Sequence, residues 1–115
     1  MLNVYGIPNC DTMKKARKWL ADHSLDYEFH DYKKLGVDAD MLDDWMNQVG
    51  WEVLLNRRGM MWRKLDDKTR DNIDADSARK IMLETPSIIK RPVLVLENGK
   101  LLVGFKETDY QNELL

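Results

Sequence analysis

Met1-Leu2-Asn3-Val4-Tyr5-Gly6-Ile7-Pro8-Asn9-Cys10-Asp11-Thr12-Met13-Lys14-Lys15-Ala16-Arg17-Lys18-Trp19-Leu20 holds two opposed periodicities with a break between them. Residues 1–7 alternate loosely, with Val4, Tyr5 and Ile7 as strand formers, until Pro8-Asn9 ends the run. From Asp11 to about Asp22 the apolar Met13, Ala16 and Leu20 fall three and four apart, while Lys14, Lys15, Arg17 and Lys18 take the other side. That spacing predicts an amphipathic helix. Beyond the connector Ser24-Leu25-Asp26, the run Tyr27-Glu28-Phe29-His30-Asp31-Tyr32 sets aromatics at every second or third place, as a strand would. Strand, helix, strand in this order makes two parallel strands joined by a right-handed crossover, so the helix must cover one face of a sheet.

Working outward, the pattern between Val37 and Glu84 is helical, with no strand evident. Met41, Leu42, Trp45, Met46 and Val49 form one face before Gly50 interrupts it. Asp76-Ser77 is expected to cap a later helix that carries Ala78, Ile81 and Met82 inward and stops at Thr85-Pro86. Pro92-Val93-Leu94-Val95-Leu96 is a continuous apolar run, the mark of a buried strand, and Asn98-Gly99 turns it into an antiparallel Leu101-Leu102-Val103. Glu107 to Leu115 forms a short closing helix with Tyr110 and Leu114 on one face. The expected fold is α/β: a single domain over residues 1–115. It is a thioredoxin-like mixed four-stranded sheet with a helical insertion at about 37–85, between the β-α-β unit and the C-terminal β-hairpin.

A chain of 115 residues at 43% hydrophobic can build a core without disulfides or a structural metal. Its 18 basic and 20 acidic side chains are interleaved, so no basic stripe announces direct nucleic-acid binding. No apolar stretch approaches bilayer length and no leader pattern precedes the first strand, so no membrane is expected and the expected location is cytoplasmic. The one cysteine rules out an internal disulfide, which agrees with a reducing compartment.

That cysteine, Cys10, stands where a strand hands over to a helix start. Unsatisfied backbone N–H groups and the positive end of the helix dipole there favour a thiolate. An inert, buried thiol is the commoner fate of a free cysteine. A loop beside Pro8 and Asn9 is seldom packed interior, however, and Lys14 is one turn away. The neighbouring Asp11 would raise the thiol pKa if it pointed inward. Met13 occupies the position a Cys-x-x-Cys pair would fill with sulfur, so any adduct on Cys10 must be released by an external thiol. Arg57, Arg58 and Arg63 around Gly59 suit an anion cradle, although an ordinary solvated basic turn is the plainer reading. Arg91-Pro92 opens the apolar strand, where a proline must avoid a ladder position. His23 and His30 lack partners at ligand spacing, so no metal is assigned. Gly6 alone makes no phosphate loop.

Together, Tyr5-Gly6-Ile7-Pro8-Asn9-Cys10-Asp11-Thr12, Leu55-Asn56-Arg57-Arg58-Gly59 and Pro86-Ser87-Ile88-Ile89-Lys90-Arg91-Pro92-Val93 resemble the ArsC-like family of arsenate reductases and Spx regulators, most nearly its YffB branch. The resemblance implies a thioredoxin fold with a helical insertion, a cytoplasmic protein and a nucleophilic Cys10. It also implies that Arg57 and Arg91 bind an oxyanion or glutathione and that Pro92 is a cis-proline. Asn9, Thr12, Lys14 and Lys106 are candidate supporting residues. Gly104 stands where arsenate reductases carry a third arginine, and Asp11 where they carry glycine. Met13 removes the Cys-x-x-Cys switch typical of Spx. The expected function is a glutathione-dependent, arsenate-reductase-like thiol oxidoreductase. No cofactor is bound, glutathione is the co-substrate, and glutaredoxin is a candidate partner. The alternative is a non-enzymatic, Spx-like regulatory module that engages RNA polymerase or another protein.

Overall fold

The strand, helix, strand order holds in the computed structural model, which describes residues 1–115. In chain order the elements are β1 (Leu2–Gly6), α1 (Asp11–Asp22), β2 (Tyr27–Asp31), α2 (Tyr32–Leu35), α3 (Ala39–Val49), α4 (Trp51–Leu54) and α5 (Met60–Arg63). There follow α6 (Asp67–Asp71), α7 (Ala75–Glu84), a 3-10 turn at Pro86–Ile88, β3 (Val93–Val95), β4 (Leu101–Val103) and α8 (Glu107–Leu114). They form two compact units, one from Met1–Leu35 with Arg91–Leu115 and one from Gly36–Lys90.

The first unit is a four-stranded sheet in the order β2-β1-β3-β4. β1 runs parallel to β2, β3 is antiparallel to both β1 and β4, and the arrangement is the thioredoxin-like mixed sheet expected from the sequence. Register lines up Phe29, Val4, Leu94 and Leu102 in one row across all four strands. That row is one face of a core to which α1 contributes Met13, Ala16, Trp19 and Leu20 and α8 contributes Tyr110. Fully burying one large apolar side chain of this kind contributes about 1.5–3 kcal/mol, so this face fixes the register. The hairpin turns through Gly99 at φ 88°, with Leu96 N–H donating to the Lys100 carbonyl at 2.9 Å. Strand two ends one residue earlier than the aromatic spacing predicts. Asp31 closes the ladder opposite Gly6, and its carboxylate accepts from Lys33 N–H (3.0 Å) and Lys34 N–H (3.3 Å), so Tyr32 opens α2 instead.

The second unit is helical, as its periodicity predicts, but divided into short pieces. Asp38 caps α3 by accepting from Met41 N–H at 3.1 Å, and Gly50 at φ 86° ends it. The cap of α7 is Asp74, not the expected Asp76-Ser77. Asp74 accepts from Ser77 N–H (2.9 Å) while Ser77 Oγ accepts from Asp74 N–H (3.0 Å), a capping box with serine at its third position. No strand is evident here in the sequence, yet Leu55 and Ile89 form an isolated antiparallel bridge. Two further bonds flank it, Lys90 N–H to the Leu54 carbonyl at 2.7 Å and Asn56 N–H to the Ile88 carbonyl at 2.9 Å. Leu42, Trp45, Leu54, Leu55, Ala78, Met82, Ile88 and Ile89 are its buried residues.

Candidate active site

β1 delivers the chain to Cys10 through the turn at Pro8-Asn9. Cys10 is the N-cap residue of α1, with extended backbone (φ −123°, ψ 134°) and its carbonyl accepting from Lys14 N–H at 3.0 Å. Its side chain is half-buried and free, packed at the edge of the core. The loop can lie this close to the strand because Gly6 has no Cβ. A methyl built there would clash with Met13 Sδ, and Met13 is itself fully buried. Gly6, uninformative as a phosphate-loop signal, is therefore the residue that lets the first turn of α1 close over the end of β1.

The sulfur sits among positive groups. Burial pushes the Cys10 thiol pKa up, but the Met13 N–H, the Arg91 guanidinium and the Thr12 N–H together outweigh it, and the net shift is downward. Sulfur is a weak acceptor as a thiol, which is why Cys10 makes no complete side-chain cap bond; as a thiolate it draws the same donors strongly. Arg91 also donates to the oxygen of Tyr32, whose side chain is 1% exposed. Burial pushes that phenol up to about 12, against the pull of Arg91, so it is neutral at physiological pH. Tyr32 is the site residue the sequence reading missed: alternation absorbed it into strand two, and only the Asp31 turn reveals that it leaves the ladder.

Pro92 follows Arg91 through a cis peptide bond and is buried at the mouth of β3, where its carbonyl accepts from Gly104 N–H at 2.8 Å. Gly104 itself takes φ 77°, in the left-handed region that favours glycine over any residue with a side chain. Of the proposed supporting residues, Thr12 acts through its backbone N–H, whereas Asn9, Lys14 and Lys106 are exposed. The charge expected of Lys14 is supplied instead by Arg91 and the two backbone donors. Arg57 belongs to the second unit, where it is exposed and stacks its guanidinium over Trp51 at 5.6 Å. There Asn56 shapes the turn, its Oδ1 accepting from Arg58 N–H at 3.2 Å. A cleft of about 700 Å³ lies at the other end of β1, between Leu2, Leu25, Leu96 and Leu114. It contains no cysteine.

Comparison with known proteins identifies the family. The model of the ArsC family matches residues 5–112. A solved structure of a YffB protein superposes with a TM-score of 0.94 at 48% identity, covering 100% of both chains. An arsenate reductase (ArsC) related protein from Brucella melitensis is 57% identical with a TM-score of 0.79, covering 97% of this chain and 92% of its own. The global transcriptional regulator Spx of Streptococcus agalactiae is 25% identical over 111 residues, 95% of this chain and 80% of the regulator.

Proposed function

The chain belongs to the ArsC family, and from that premise we propose that it is a glutathione-dependent thiol reductase whose only nucleophile is Cys10. In the first step the Cys10 thiolate attacks one sulfur of a disulfide, forming a mixed disulfide and expelling the other sulfur as a thiolate. In the second, an external glutathione thiolate attacks that mixed disulfide, so Cys10 leaves as a thiolate and a new disulfide departs. Each step breaks one S–S bond and makes one, and the protein is regenerated unchanged. Arg91 answers a carboxylate of glutathione, a role the family likeness also gives Arg57, Pro92 fixes where Arg91 enters, and glutaredoxin is the candidate recycler. A reducing cytoplasm supplies the thiol. Glycine at position 104 disfavours arsenate, which wants a third bidentate fork.

The observation that carries this reading is a half-buried free thiol at the N-cap of α1 that faces the Arg91 guanidinium and the Thr12 and Met13 N–H groups. Calorimetric titration with glutathione tests it. Wild type binds saturably, and Arg91→Ala and Arg57→Ala each weaken binding by about tenfold, the effect of one lost charge-assisted hydrogen bond. Equal affinity across wild type, both arginine variants and Cys10→Ser would overturn the proposal.

The likeness to Spx favours a second reading, in which the chain is a protein-binding module that engages RNA polymerase or another protein without turnover. Recovery of polymerase subunits equally by wild type and Cys10→Ser would support the module over the enzyme.

A further inference from the structure

We propose that Tyr32 is a positioning residue for Cys10, acting by fixing the direction in which the Arg91 guanidinium presents its N–H groups to the sulfur. The inference deepens the reading of Cys10 as the reactive thiol and rests on it.

Three observations support it. The Tyr32 backbone is held from both sides. Asp31 pairs with Gly6 at the last rung of the parallel ladder, and the same Asp31 carboxylate accepts from Lys33 and Lys34 N–H to start α2. The ring is 1% exposed and has only two side-chain torsions, so its oxygen occupies a fixed point in the first unit. Arg91, by contrast, has a long rotatable side chain whose ordering costs entropy, and its guanidinium hydrogen-bonds both the Tyr32 oxygen and the Cys10 sulfur. A guanidinium is a planar fork, so anchoring one N–H sets where the others point. Phenylalanine would fill the same volume. Most buried hydroxyls are hydrogen-bonded, and this one answers Arg91.

The neutrality of the phenol matters to the design. An anionic partner would take up the charge of Arg91, whereas burial keeps Tyr32 protonated, so it orients the guanidinium and leaves the positive charge for the sulfur.

The test is the pH dependence of Cys10 alkylation by iodoacetamide in wild type, Tyr32→Phe, Arg91→Ala and the double variant, with near-ultraviolet circular dichroism as the check on folding. Tyr32→Phe raises the midpoint by about half a pH unit, which leaves roughly threefold less thiolate at a fixed pH below it. Arg91→Ala raises it further, and adding Tyr32→Phe to Arg91→Ala changes nothing more, because the hydroxyl acts through the guanidinium. A Tyr32→Phe midpoint equal to wild type, or a shift that persists undiminished without Arg91, overturns the proposal. Should the phenylalanine variant not fold, Tyr32→Met gives the same reading. Glutathione takes no part in this experiment, so loss of the glutathione reading would leave its outcome intact.

Discussion

At the scale of single residues the site depends on pairs that sequence separation hides. Gly6 and Met13 are one such pair, and Gly6→Ala is expected to destabilise the protein by about 1–3 kcal/mol through overpacking against the Met13 thioether. Urea denaturation measures it. Trimming the partner should restore much of the loss, so Gly6→Ala/Met13→Ala is expected to be less destabilised than the sum of the two single changes. Cys10 and Arg91 are another pair. Arg91→Lys keeps the charge but cannot serve two acceptors as a fork, so the alkylation midpoint of Cys10 is expected to rise above that of wild type while staying below that of Arg91→Ala. In sign, a lowered thiol pKa means that reactivity persists to lower pH than for a free cysteine, and each change that removes a donor moves the profile toward alkaline pH. Cys10 is legible in sequence because it stands at a recognisable junction of elements, whereas at Arg91-Pro92 the proline marks the junction and the role of Arg91 enters by family likeness. Tyr32 is not, because a tyrosine at the end of an alternating run reads the same whether it stays in the ladder or leaves it.

At the scale of elements, local chemistry decides where each one stops, and periodicity only that it exists. The sequence pattern gives α1 and the β3–β4 hairpin almost to the residue, since Met13, Ala16 and Leu20 have a clear helical period and Asn98-Gly99 a clear turn. The long helical stretch resolves less well. Its divisions come from Gly50, from the Asn56 turn and from the Asp74–Ser77 box, in which serine replaces the usual glutamate at the third position and so escapes the motif. The Leu55–Ile89 bridge is invisible to any window because its partners are 34 residues apart and each contributes a single rung. Capping offers a direct test in this unit. Asp38→Ala removes the acceptor for Met41 N–H and is expected to cost about 1 kcal/mol, read from the shift in urea midpoint, whereas Asp38→Asn should lose little.

At the scale of the whole molecule, one thiol sets the stoichiometry. Mass spectrometry after treatment with oxidised glutathione is expected to show a single glutathionyl adduct per chain, removed by reductant and absent from Cys10→Ser. A second adduct has nowhere to form. The thioredoxin-like α/β architecture was legible from the order of elements alone, whereas the role of Arg57 rests on family likeness, because a basic turn looks alike in sequence whether it holds a ligand or only water. The hairpin tip adds a practical possibility. Glu97, Asn98, Gly99 and Lys100 are exposed, and they lie at the end of β3 away from Pro92 and Arg91. Exposed tips accept inserted sequence with little penalty. A cysteine-free epitope or fluorescent label grafted between Asn98 and Gly99 would leave the reactive end untouched, and a maleimide dye would then mark Cys10 alone, turning the protein into a two-colour reporter of its own oxidation.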